Sequence, residues 1–169
     1  RNLAREQIAV ERPLLGPALA RRIDDNARTL SDAYRRLAVA AGTGEAISPA
    51  AEWIIDNYHL VERQVRDIRT DLPPGYYRRL PKLASGPLRG YPRILDAMWA
   101  YLAHSDSHFN PDVLCRFLRA YQQVAPLAIG ELWAAPITLR ILLLENLRRF
   151  AELAALARDA RRRADETAE

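Results

Sequence analysis

Apolar side chains recur along this chain at intervals of three and four positions rather than two, the period of helices that bury one face. The pattern predicts an all-α protein with no strand. A first helix is expected from about Pro17 to Ala41, with Pro17 suited to its first turn and Gly42 and Gly44 to its end. Ser48 can cap a second helix, with Pro49 at its first position and Glu52 near the positive end of its dipole, running to about Thr70. Further helices are expected from about Pro92 to Ala103, from Asn110 or Pro111 to Val124, and from Pro126 to about Asp165. Pro136 should kink the last of these by removing a backbone donor, and beyond Leu156 the apolar spacing fades, so the tail should project or fray. Arg1 to Leu15 is ambiguous, because Pro13 and Gly16 stop any helix there; a frayed arm is one reading.

Between the second and third helices, Asp71 to Pro92 carries Pro73, Pro74, Gly75, Pro81, Gly86, Pro87, Gly90 and Pro92, too many breakers for one regular element. The expected architecture is a bundle of about five helices with a long Pro/Gly-rich crossover loop and a Pro-kinked, long C-terminal helix. Residues 1–44 form an arm and lead-in helix, and residues 45–169 a helical domain that packs with it as one unit.

Projection at about 100° per residue dissects "AAEWIIDNYHLVERQVRDI" (50–68). Ile54, Tyr58, Val61, Val65 and Ile68 fall on one core stripe. Trp53, Asn57, Leu60 and Gln64 form a flanking stripe with Asp56 and Asp67 at its outer edge, while His59, Glu62, Arg63 and Arg66 face solvent. His59 therefore shares no face with Asp56 and Asn57, which argues against a His-Asp pair. Trp53 with Asn57 and Gln64, and Asp56 at the edge, remains either a hydrogen-bonding packing seam or a sugar platform.

Composition narrows the function classes. The 25 basic residues against 21 acids give a net charge of +4, and the arginines alternate with acids along helices instead of gathering into the basic stripe of a nucleic-acid reader. One cysteine, Cys115, excludes an internal disulfide and any CxxC metal site, and its helical neighbours suggest an inert core thiol. No run approaches the roughly 20 apolar residues of a membrane span. No P-loop, GxGxxG, HExxH or GxSxG pattern occurs. "HSDSHFNPD" could bring His104, Asp106 and His108 to a metal, but the same residues before Pro111 make a turn and helix cap, the stronger reading. Neither metal nor cofactor is expected.

Two further stretches carry chemistry. In "LPPGYYRRLPKL", Tyr76, Tyr77 and Arg78 either anchor a proline-fixed loop or contact an anion or sugar. In "AYQQVAPLAIGELWAAPITLRILLLENLRRF", Glu131, Thr138 and Glu145 lie within about 40° of one another on a helix. Seven residues separate the acids by about 10.5 Å with no evident cleft, so buried Glu-Arg ties are expected before a glycosidase-type pair. Tyr121, Gln122 and Trp133 complete the candidates for contact with glucan or a partner.

Taken in order, "AAEWIIDNYHLVERQVRDI", "LPPGYYRRLPKL", "GYPRILDAMWAYLAHSD" and "FLRAYQQVAPLAIGELWAAPITLRILLLENLRRFAE" resemble the N-terminal region of bacterial cyclic β-1,2-glucan synthases, over about Ala50 to Glu152. The resemblance implies a soluble piece of a large multi-pass inner-membrane glycosyltransferase, on its cytoplasmic face, that builds cyclic glucan from UDP-glucose on a protein-linked primer. That family's transferase region, with its acidic motifs and QxxRW, lies downstream, and nothing here matches it. No catalytic residue carries over. The expectation is a non-enzymatic segment that docks to downstream domains of the same polypeptide, with no transmembrane span of its own. The alternative is a carbohydrate-binding module holding the growing β-1,2-glucan.

Overall fold

The structure is a computed structural model that describes residues 2–10, 19–71 and 75–168. Among them are seven helices, α1 (Asn2–Glu6), α2 (Leu19–Gly42), α3 (Pro49–Asp71), α4 (Tyr76–Arg79), α5 (Arg93–His104), α6 (Pro111–Gln122) and α7 (Ile129–Ala168), and two short strands, β1 (Ala9–Val10) and β2 (Lys82–Leu83). The fold is all-α, and the five long helices are the five expected from periodicity. The helix start expected at Pro17, the stops at Pro13 and Gly16, and the breakers Pro73 and Pro74 lie outside the described residues. α7 runs on to Ala168 beyond the point where apolar spacing fades. It passes through Pro136, which sits exposed and lacks the amide that the Leu132 carbonyl would otherwise receive.

Local chemistry accounts for several helix ends. The Ala51 amide donates to Ser48 Oγ at 3.3 Å, so Ser48 caps α3 as expected. Asn110 Oδ1 accepts from the amides of Asp112 (3.0 Å) and Val113 (3.1 Å), with Pro111 in the first turn of α6. Thus "HSDSHFNPD" is a turn and cap: its turn places Asp106 and Ser107 at φ 48° and 63°, and His104 Nδ1 lies 2.7 Å from the Ala100 carbonyl one turn back.

Contacts group the chain into two compact units, the first comprising Arg1–Leu19 and Ile68–Leu143, the second Ala20–Asp67 and Leu144–Glu169. In the first unit α5 is the central element: Ile94, Leu95, Ala97, Met98, Tyr101 and Leu102 are all buried. A helix apolar on nearly every face must lie inside, and each large side chain contributes about 1.5–3 kcal/mol by leaving water. The chain enters α5 through the crossover loop, where Gly90 at φ 82° donates its amide to the Leu83 carbonyl (2.9 Å) and the Arg93 amide donates to Pro81 (2.9 Å).

The described part of the N-terminal arm, residues 2–10, is tied down here instead of fraying. β1 pairs antiparallel with β2, Ala9 opposite Leu83 and Val10 opposite Lys82, and the Ala84 amide donates to Ile8 at 2.9 Å. This two-residue pairing was not expected from the sequence, because strands that short carry no period and their partner lies more than 70 positions away.

The second unit packs α2, α3 and the C-terminal part of α7. Ile23, Asn26, Leu30, Ala33, Leu37 and Ala40 make one buried stripe on α2, and Ala51, Ile54, Val61 and Val65 one on α3. Tyr34 and Tyr58 stack with ring centroids 4.1 Å apart. Arg158 grips Glu45 at 2.8 Å and Arg36 pairs with Asp159, which holds the residues after Leu156 that were expected to fray.

Candidate functional site

Glu131, at the start of α7, is fully buried and completely partnered. Its Oε1 accepts from Arg93 Nε at 3.0 Å, and its Oε2 accepts from Arg93 Nη2 at 2.7 Å and from the Ala128 amide at 2.9 Å. The last bond is the reach of a third-position acid back to the residue that begins its helix. Arg93 also donates to the Pro126 carbonyl (3.0 Å), and its guanidinium lies 6.0 Å from the centre of the Tyr121 ring. Burial would lower the Arg93 pKa, but the hydrogen bond and charge of Glu131 outweigh it and the net shift is upward.

From Tyr121 the network continues outward. The Tyr121 hydroxyl donates to Gln7 Oε1, and Gln7 Nε2 donates to Asp96 Oδ2 at 2.7 Å. Burial pushes the Tyr121 hydroxyl up to about 12, against the opposing charge of Arg93. One buried arginine thereby fastens α5, α6 and α7, and through Tyr121 the N-terminal arm.

The second acid of the stripe, Glu145, follows the same logic within its own unit. Arg22 binds both its oxygens, Nη2 at 2.7 Å, and Asn26 donates to Oε1 at 3.3 Å while accepting from Arg148 at 3.1 Å. Both Glu-Arg ties expected from the helical projection are present. Thr138, between the two acids, lies 3.1 Å from the Tyr77 hydroxyl.

The other expected contact residues are divided between the two units. Trp53, Asp56 and Asn57 belong to the second unit; Trp53 and Asp56 are exposed, and the Asn57 amide turns back to the Trp53 carbonyl at 2.8 Å. The other six belong to the first unit, as Glu131 does. Tyr77 is buried, Tyr76 half-buried with its hydroxyl on the Gly130 carbonyl at 2.5 Å, and Arg78 exposed. Burial pushes the Tyr77 hydroxyl up to about 12. Tyr121 is buried, Gln122 half-buried and Trp133 exposed. Cys115 corrects an expectation: it is exposed, because Leu114, Phe117 and Leu118 turn the inner face of α6 to the core and leave position 115 outside.

Sequence reading missed a cavity of about 410 Å³ in the first unit, lined by residues of the N-terminal arm, the crossover loop and α5. Trp99 and Asp96 contribute from α5, and Glu6 and Gln7 from the arm. The only signal in the sequence was the i, i+3 spacing of Asp96 and Trp99; the arm that completes the cavity is distant in sequence.

Fold and site together define an all-α segment in which the buried acids Glu131 and Glu145 are each paired with an arginine. No family model matches the chain. Among curated proteins, the cyclic beta-(1,2)-glucan synthase NdvB of Rhizobium meliloti (strain 1021) is 39% identical to it over 146 residues, 86% of this chain and 5% of that protein. The resemblance drawn from the motifs therefore holds: the chain is similar to one segment of a cyclic β-(1,2)-glucan synthase and spans about 5% of that relative's length. No helix among the described residues is long and apolar enough to cross a membrane.

Proposed function

We propose that this chain is a helical docking segment of a cyclic β-1,2-glucan synthase, without a reaction of its own, that seats against downstream parts of the same polypeptide at the cytoplasmic face of the inner membrane. The observation that carries this reading is an outward apolar stripe at the start of α7: Ile129 is 74% exposed and Trp133, one turn on, 73%. A water-facing tryptophan on a helix whose other side is fixed by Glu131 suits a protein contact, where large aromatic anchors dominate. The small share of the relative covered by the match leaves a large remainder to supply the partner. The two acids of the α7 stripe, Glu131 and Glu145, are both paired with arginine, which supports a role other than chemistry for them.

Co-expression of the chain with a synthase polypeptide lacking the matching segment tests this. The chain should co-purify with that polypeptide, and the double variant Ile129→Glu/Trp133→Glu should not. Equal capture of both, or capture of neither, would sink the docking role.

A further inference from the structure

We infer that the cavity between the N-terminal arm, the crossover loop and α5 is a binding site for a pyranoside, a neutral ring carrying vicinal hydroxyls. The lining combines apolar residues, Trp99, Leu83 and Leu88 among them, with polar ones of mixed character. The carboxylates of Glu6 and Asp96 can accept, the Ser85 hydroxyl can do both, and the Gln7 amide can donate. A sugar ring has the same two characters, a face of polarised C–H bonds that suits the negative face of an indole and an edge of hydroxyls that donate and accept together. A volume of about 410 Å³ falls within the range of small-molecule sites.

Two features favour a polyol over a cationic side chain. Asp96 Oδ2 is already engaged by Gln7 Nε2 at 2.7 Å, which tempers its demand for a cation. Guanidinium and ammonium groups offer no acceptor for the Ser85 hydroxyl or for the remaining Gln7 N–H, whereas hydroxyls do. The site is also held in shape. Gln7 is fixed at both ends by Asp96 and Tyr121, and Asp96 and Trp99 project from the same face of the buried helix α5. A ligand entering it has little ordering of the protein to cost it affinity.

Titration of the isotope-labelled 169-residue chain with sophorose, the β-1,2-linked glucose disaccharide, followed by amide chemical shifts, tests the assignment. The choice of linkage rests on the proposed place in a β-1,2-glucan synthase. Saturable shifts should be confined to residues 3–8, 83–88 and 96–99. Trp99→Ala should weaken binding about tenfold or more, the exposed-site variant Glu6→Gln severalfold, and Trp133→Ala not at all. Absence of shifts with both sophorose and cellobiose at about 10 mM, tenfold above a millimolar dissociation constant, overturns the site. So does saturation of the cavity by arginine amide where sophorose is silent, or an unchanged affinity in both Trp99→Ala and Glu6→Gln. Binding of the β-1,4-linked disaccharide cellobiose with sophorose silent would keep a pyranoside site and speak against β-1,2-glucan as its source. Silence from both removes the site and leaves the docking reading to its own test.

Discussion

Arg93 is the residue on which the first unit turns, because among the described residues it is the cation that pairs with the fully buried Glu131 carboxylate. Removing one member of such a pair strands the other in a low-dielectric interior, whereas removing both does not. Arg93→Met should therefore cost about 3–5 kcal/mol in urea unfolding, and Arg93→Met/Glu131→Met should recover much of it. A second residue-scale outcome concerns Tyr77, whose hydroxyl rises from 10.0 to about 12 on burial. Its contribution is complete below pH 10, where both folded and unfolded chains keep the proton. Between pH 10 and about 12 the unfolded chain ionises and the folded chain does not, so stability is lost as pH rises. Unfolding midpoints measured across that window should fall in the native chain and fall less in Tyr77→Phe. Glu131 and Glu145 were legible in the sequence as acids on an apolar stripe that had to find arginines. Which arginines they found was not, since Arg93 lies 38 positions from Glu131 and Arg22 lies 123 from Glu145.

At the scale of elements, periodicity and capping chemistry act within a turn or two, and the long helices accordingly begin and end close to where their sequences direct. The cap of α6 is the clearest case. Asn110→Ala removes the acceptor of two otherwise unpaired amides and should lower stability by about 1 kcal/mol in thermal or urea unfolding, with Asn110→Ser largely retaining it. The same locality explains what periodicity could not show. β1 and β2 are two residues each and pair across more than 70 positions, and α1 and α4 are single turns or little more, too short to carry a helical signature. Cys115 illustrates the limit on a helix that was recognised: its neighbours' apolar character said that α6 had an inner face, but the face was set by Leu114, Phe117 and Leu118.

Across the whole molecule, contacts divide the chain into two units, and each has its own buried Glu-Arg tie. Arg22→Met should accordingly lower hydrogen-exchange protection in residues 20–67 and 144–160 before it does so in residues 93–140, a pattern that uniform loss of protection would contradict. Ile129→Ser/Trp133→Ser, by contrast, alters only water-facing side chains and should leave stability within roughly 0.5 kcal/mol of the native chain in the same urea assay. The sequence by itself determined the all-α class, the five long helices, the core stripe of α3, the need of two acids for arginine partners, and, through long and distinctive motifs, the likeness to a cyclic β-(1,2)-glucan synthase segment. All of these depend on neighbours within a few turns or on residue identity alone. Only the tertiary structure decided that Tyr77 and Tyr121 are core while Trp133 faces water, that the N-terminal arm is stitched to the crossover loop, and that Glu6, Gln7, Asp96 and Trp99 meet around one cavity. Those outcomes depend on chain closure over some 90 residues, and no local pattern of hydrophobic and polar positions carries that information.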